Sequence, residues 1–409
     1  MAIEANIAGS NDLASTEQRL MWLTAKATMR REIVVSVVLM VAVGLGGWIA
    51  VDARFPLFSA PQRLPTNALS TLRALYAVNQ ASAVRGSISV YDIDRGHRLV
   101  KTISTVSNVD DVRGVAVSAV TGKLYVSYRT HSGVGMIYCL SVHNDAVLWN
   151  KAIKPDVDRL SIHPNGRLLY VPTWEGGSAD YINVLDADSG DLVREVNFSN
   201  RSHDTQFPLS GPLFQETKAT DGSGNYLYMV DPRSYAVSRI GPYSGILGPY
   251  AVDSVSRYVV NNVTGLWGMQ VADIKTGQIV SAIIPEHPLK QPGLLHGIGW
   301  TPDQSEVWEN SSDPHVYVWD MLDPMVPKFK EQISLTGKHG GHWLTFDLKG
   351  NYAYISPEKN SDDETEIFDA RTHKSVGSIG SSEDMVEIDF TDGVITGTSD
   401  QFAIGRVAR

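Results

Sequence analysis

The sequence predicts an all-β protein, a β-propeller of seven blades with eight as the alternative, preceded by one N-terminal transmembrane helix. Three observations carry the propeller. One phrase recurs along the chain, as HGIGWTPDQSEVW from His296, HWLTFDLKGNYAY from His342, DRLSIHPNGRLLY from Asp158, ETKATDGSGNYLY from Glu216, RGVAVSAVTGKLY from Arg113 and GPYAVDSVSRYVV from Gly248. Each copy reads as a strand, a turn built on Asp, Asn, Gly or Pro, and a second strand of Tyr, Val, Leu and Trp. A second hairpin follows, as in YINVLDADSGDLV, MQVADIKTGQIV and TEIFDARTHKSV, so a unit holds four strands at a period of about 40 to 47 residues, that of a propeller blade. Finally, the first strand alternates large and small: Ile298 and Trp300 against Gly297 and Gly299, Leu160 and Ile162 around Ser161. A large face on one twisted sheet can then interdigitate with a small face on the next.

Taken in order, residues 1–32 are polar with Arg19, Lys26, Arg30 and Arg31, and are expected in the cytoplasm. Residues 33–51, IVVSVVLMVAVGLGGWIAV, are uncharged and long enough to cross a bilayer as a helix of about 19 residues, with Trp48 at the far interface. The basic flank holds the N-terminus inside, so this segment is a candidate signal anchor. The remainder would lie in the periplasm, tethered to the inner membrane, or free of it if the signal is cleaved near Val51-Asp52-Ala53. Residues 52–70 carry Pro56, Pro61 and Pro65 and form the expected linker. The propeller occupies 71–409. Its first blade, ALYAVNQ followed by SISVYDIDRGHRLV, lacks a copy of the opening strand. The C-terminal stretch MVEIDFTDGVITGTSDQFAIGRV supplies it, closing the ring and removing a sheet edge. The strands left over after that closure keep eight blades open.

Composition excludes several classes. Cys139 is the only cysteine, so an intrachain disulfide is impossible, and without Cys-x-x-Cys-His there is no covalent haem. The net charge of -10, with no basic stripe carrying aromatics, argues against a nucleic-acid partner. No Gly-x-Ser-x-Gly elbow, phosphate loop or His-Glu-x-x-His is present. The acidic SDDETE run at 361–366 lacks the glycine of a calcium loop.

The phrases HPNGRLLYVPTW, TPDQSEVW, VLDADSGDLV and VADIKTGQIV resemble the YVTN-type β-propeller repeats, relatives of the quinoprotein amine dehydrogenase heavy-chain-like propellers. The resemblance spans 71–409 and implies the architecture. It does not choose among binding proteins, lactonase-like enzymes and propellers that serve redox partners, because fold does not set function.

The candidate site follows from the repeat register. The positions opening each innermost strand are Arg113, Asp158, Glu216, Gly248, His296 and His342, and in a propeller they should ring one mouth of the axial channel. Two imidazoles and two carboxylates there have the donor chemistry for a divalent metal, Zn, Fe, Mn or Cu. His203, His287 and His339 come from blade-to-blade loops and could add ligands. The metal set is thus His296, His342, Glu216, Asp158, His203 and His339. His296, His342, Glu216 and Arg113 are the catalytic candidates, Arg113 to orient an anion. In the family a His at this register can instead tie a loop to the neighbouring strand. His97, His131, His143, His163 and His373 fall in turns and are expected to be solvated. Two functions follow: a metal-assisted hydrolase, lyase or oxidoreductase acting on a small polar molecule, or a non-catalytic propeller that binds a ligand or an envelope protein.

Overall fold

In the computed structural model the repeat units become separate twisted sheets. The structure describes residues 70–407 apart from 105, 199, 219–224, 265, 267 and 283–294, together with the backbone of 37–43 and 47–53. Six sheets have four antiparallel strands each and a seventh, composite sheet has six. Numbered in chain order, blade 1 opens with Val109–Ser118, blade 2 with Ser161–Ile162, blade 3 with Arg201–Gln206, blade 4 with Leu247–Val252, blade 5 with Leu295–Trp300 and blade 6 with Gly341–Phe346. Blade 7 combines Ser382–Thr391 with Thr71–Asn79, Ile88–Asp92 and Arg98–Ile103. Seven blades therefore hold, and closure is as expected: Ser382–Thr391 is the inner partner of Thr71–Asn79, with Leu75 opposite Glu387 and Ala77 opposite Met385.

The core lies between blades. Ala116 and Tyr125 of blade 1 cluster with Leu160, Ile162 and Leu169 of blade 2, and Val260 and Val271 of blade 4 with Ile298 and Trp300 of blade 5. Small residues set the approach. A Cβ on Gly297 would lie 2.6 Å from the His342 carbonyl oxygen and 2.8 Å from Trp343 Cα, and one on Gly114 would lie 2.8 Å from Arg159 Cα. The predicted small face is thus the surface on which the next blade's inner strand rests.

Three expectations need correction. In blade 3 the opening strand is Arg201–Gln206, and Leu213–Lys218 is the second strand. Glu216 therefore sits one strand out from the axis. Its phrase matched because both hairpins of a blade share the strand-turn-strand pattern. The strands left after closure do not start an eighth blade: Val394–Ser399 pairs on the axial side of Ser382–Thr391, and Gly405–Val407 pairs beyond it. With blade 7's inner place filled, the chain runs into the axis. There Gln401 accepts from Val115 N (3.2 Å) and donates to the Leu160 carbonyl (3.2 Å), and Arg406 donates to the Phe207 carbonyl (2.6 Å).

The third correction concerns the apolar run. Val37–Val43 and Gly47–Ala53 pair as an antiparallel hairpin, with Val43 opposite Gly47, where a helix was expected over 33–51. Valine-rich stretches suit strands. No helix of the described residues is long and apolar enough to cross a membrane. The expected cytoplasmic segment 1–32 and most of the 52–70 linker lie outside the described residues.

Candidate functional site

The inner strands interrupt their ladders at equivalent places. Pairing skips between Val112 and Gly114 in blade 1, Ser202 and Thr205 in blade 3, and Leu247 and Tyr250 in blade 4. It skips again between Leu295 and Ile298 in blade 5, Gly341 and Leu344 in blade 6, and Ser382 and Met385 in blade 7. In blade 2, Asp158 and Arg159 precede the first ladder pair, Ser161 with Tyr170. A bulge frees residues from pairing and re-aims their side chains. The residues freed form two tiers: Arg113, Asp158, His203, Gly248, His296, His342 and Glu383, then Arg159, Asp204, Trp343 and Asp384.

A recurrent stitch holds the first tier. A polar residue on one blade's second strand donates to an inner-strand carbonyl of the next blade. Ser127 bonds Asp158 O (2.8 Å), Asn310 bonds Trp343 O (3.0 Å), Ser356 bonds Glu383 O (2.7 Å), and Asn262 bonds His296 O. In blade 3 Glu216 faces the bulge, and Lys218 makes the stitch to Leu247 O at 3.0 Å.

Arg113, Asp158, Arg159, Glu175, His203, His296, His342, Trp343, Lys359 and Glu383 enclose a cavity of ≈ 50 Å³. By the room one water needs, that holds roughly three to five water-sized groups. Below it Arg159 stacks on Trp343 at 3.5 Å and also lies over the ring of Phe402 at 4.8 Å. The C-terminal segment therefore closes the floor, and the predicted channel mouth is a blind pocket.

The cations are spent in different degrees. Arg113 donates through Nε (3.0 Å) and Nη2 (2.6 Å) to Asp158 Oδ1 and through Nη1 (3.2 Å) to Asp111 Oδ2, which Lys359 Nζ also reaches at 2.7 Å. The expected anion-orienting Arg113 is thus largely held by protein carboxylates. Arg159 bridges Asp204 (3.2 Å) and Asp384 (2.6 Å). Burial still pushes those carboxyls up, Asp204 to about 7 and Asp384 to about 6. His203 meets Glu216 through Nδ1 (3.2 Å) and Glu175 through Nε2 (3.6 Å). Burial opposes its charge, but Glu175, Asp158 and Glu216 outweigh it and raise the imidazole to about 9, while His203 draws Glu175 down to about 2.

His296 and His342 behave oppositely. Their rings stack at 3.9 Å, with Trp343 edge-on to His296 at 4.4 Å. Burial drives both well below the usual histidine value, helped by His342 and His203 at His296 and by Arg113 and Lys359 at His342. His296 Nδ1 lies 3.0 Å from the His342 carbonyl and donates to it, which leaves the Nε2 lone pair as an acceptor. This is the loop-to-neighbour tie considered from the sequence, and it also sets the tautomer. His342 Nδ1 is 2.8 Å from Glu383 Oε1, and burial, then Asp111, raises Glu383 to about 8.

Of the predicted residues, the pocket gathers Arg113, Asp158, His203, His296 and His342, with Glu216 behind His203. His339 is exposed and does not line it, and His287 lies outside the described residues. Glu383 was missed although it precedes Met385 by the same two positions that separate His296 from Ile298. Arg159, Asp204 and Asp384 each follow a ring residue by one position, on the side of the strand read from the sequence as the small one, and no local pattern distinguishes Glu175 or Lys359. Among the turn histidines, His131 and His143 are exposed as expected, His97 and His163 are half-buried, and His373 is buried.

Fold and site together define a seven-bladed propeller with a blind polar pocket on its axis. No family model matches the chain, and no curated relative does either. Solved structures share the fold. Kuenenia stuttgartiensis hydrazine synthase is similar at TM-score 0.53 and 15% identity, over 65% of this chain and 78% of that one. Dihydro-heme d1 dehydrogenase NirN in complex with DHE is similar at TM-score 0.53 and 15% identity, over 78% and 75%. The Myceliophteria thermophila Cps50 (Swd1) β-propeller domain is similar at TM-score 0.52 and 12% identity, over 70% and 95%. At such identity the likeness is one of fold alone.

Proposed function

We propose that the protein is a ligand-binding propeller whose blind axial pocket holds one small polar molecule. The observation that supports this is convergence: bulges in successive inner strands aim charged and imidazole groups into one cavity that the C-terminal segment closes from below. Such groups, held by rigid strands, are pre-organised for a ligand. His296, neutral and with no hydrogen bond to its Nε2 among the described residues, can also accept a proton from what binds, so the pocket has the groups for acid–base chemistry.

The metal-assisted reading has one observation in its favour: donor atoms of His203, Asp204 and Glu216 lie within 4.8 Å of one another. The donor chemistry does not fit. A metal needs deprotonated ligands and a neutral imidazole. Here His203 lies between Glu216 and Glu175, Lys218 Nζ sits 2.5 Å from Glu216, and Arg159 holds Asp204, so each donor is already paired within the protein. His296 and His342 have no third such donor within that distance among the described residues. Elemental analysis of the purified full chain, beside Glu216→Ala, decides between the two. Metal-free protein, insensitive to a chelator, is expected. Stoichiometric Zn, Fe, Mn or Cu that Glu216→Ala loses would establish the metal reading instead.

The same proposal takes residues 33–51, behind Arg30 and Arg31, as an export address, on composition. A reporter active only outside the cytoplasm, fused after residue 70, should be active. A silent fusion, with a cytoplasmic reporter active at the same point, would refute export.

A further inference from the structure

The hydrogen-bonding capacity left over in the pocket has two kinds. On one side are donors. Lys359 and Arg113 share the single oxygen Asp111 Oδ2, so the ammonium and the guanidinium sit together and retain N–H groups beyond those that Asp111 and Asp158 accept. On the other side is an acceptor: His296 commits Nδ1 to the His342 carbonyl and can offer only the Nε2 lone pair. His342 is stacked on His296 and in contact with Glu383. Glu383 Oε2 is buried and has no hydrogen-bond partner among the described residues. A buried unpaired polar atom is costly.

A ligand that completes this inventory carries an anionic acceptor for Lys359 and Arg113 and a hydroxyl donor for His296, in about three to five heavy atoms. Resting on the pocket being the ligand site, we infer that it takes a small hydroxycarboxylate of glycolate size. The carboxylate meets the two cations, and the hydroxyl donates to His296 Nε2. Charge-assisted contacts and a hydroxyl matched to a fixed acceptor discriminate sharply, because an analogue lacking either group leaves a buried protein atom unpaired.

Titration calorimetry of the full chain with glycolate, acetate and glycolamide tests this. Glycolate should bind at least about tenfold more tightly than acetate, which lacks the hydroxyl, and than glycolamide, which lacks the charge. His296→Ala should erase the preference over acetate only, and Lys359→Ala should erase the preference over glycolamide only. His296→Gln, which restores an acceptor oxygen, should recover part of the hydroxyl preference, and near-UV circular dichroism checks that each variant is folded. Acetate or glycolamide binding as tightly as glycolate overturns the hydroxycarboxylate and leaves the pocket reading standing. Failure of all three to bind at millimolar concentration overturns both.

Discussion

His342 on the axis and His373 on the rim are equally shielded, each 8% exposed, yet their surroundings shift their pKa values in opposite directions. His373 comes from a turn of blade 6 and is gripped by blade 5: Nε2 lies 3.0 Å from Glu306, and Nδ1 contacts Glu331. Those carboxylates overcome the desolvation penalty and raise its pKa. His342 faces Arg113, Lys359 and Arg159, and the carboxyl beside it, Glu383, is pushed to about 8 and offers little negative charge at neutrality. Burial by itself disfavours the imidazolium in both places, so the sign is decided by whether an ionised carboxylate is within contact. One histidine is a structural clasp between blades. The other is held neutral beside a cavity.

The most severe way to break the comparison is to remove the segment on which the axial half depends. Deleting 382–409 takes away blade 7's inner strand, the floor of the pocket and Glu383. The loss should far exceed the roughly 0.5–3 kcal/mol of ordinary point changes. The truncated protein should show no cooperative denaturant transition, and an unchanged midpoint would refute the closure scheme.

Next in size is Arg159→Met, which strands Asp204 and Asp384 without their counter-charge. Breaking a buried pair in this way should cost about 3–5 kcal/mol in urea denaturation. Where the variant stays folded it sharpens the comparison, because loss of one of the cations depressing His342 should raise its titration midpoint by NMR toward that of His373. A smaller effect is expected from Gly297→Ala. Its methyl would press on the His342 carbonyl and Trp343 Cα, so blade 6 must shift, at about 1–3 kcal/mol by thermal or urea unfolding.

The smallest effect, and the one that separates the two histidines by sign, is pH dependence. His373 has a raised folded pKa, so its stabilisation is complete below the unfolded value of 6.5 and is lost as pH rises through the folded value. His373→Gln should therefore cost about 1–2 kcal/mol near pH 6 and progressively less at alkaline pH. His296 and His342 have lowered folded values, so they add a penalty that grows as pH falls below about 6.5. A His296→Gln/His342→Gln pair should lose less stability on acidification than the wild type. Urea midpoints across pH would expose any variant with the wrong sign.

Much of this molecule is legible along the chain because a propeller is built from local hairpins. The turn residues, the large and small alternation and the four-strand period all arise within one unit, so seven blades and the pairing of Thr71–Asn79 with a C-terminal strand follow from the sequence. The ring positions Arg113, Asp158, His296 and His342 follow from the same register. Glu216 was misplaced where two hairpins share one pattern, and His373 was expected in water because its turn is polar, although Glu306 and Glu331 on the neighbouring blade enclose it.

What only the tertiary structure decided is how unlike blades meet. The ion pairs of Arg159 with Asp204 and Asp384, the contact of Glu383 with His342 and the C-terminal segment that makes the channel blind all join residues 45 or more positions apart, save His342 with Glu383 at 41. Local periodicity records which side of its own strand a residue takes. Charge state and pocket shape depend on the groups that other blades bring to that side, and that information enters only when the ring closes.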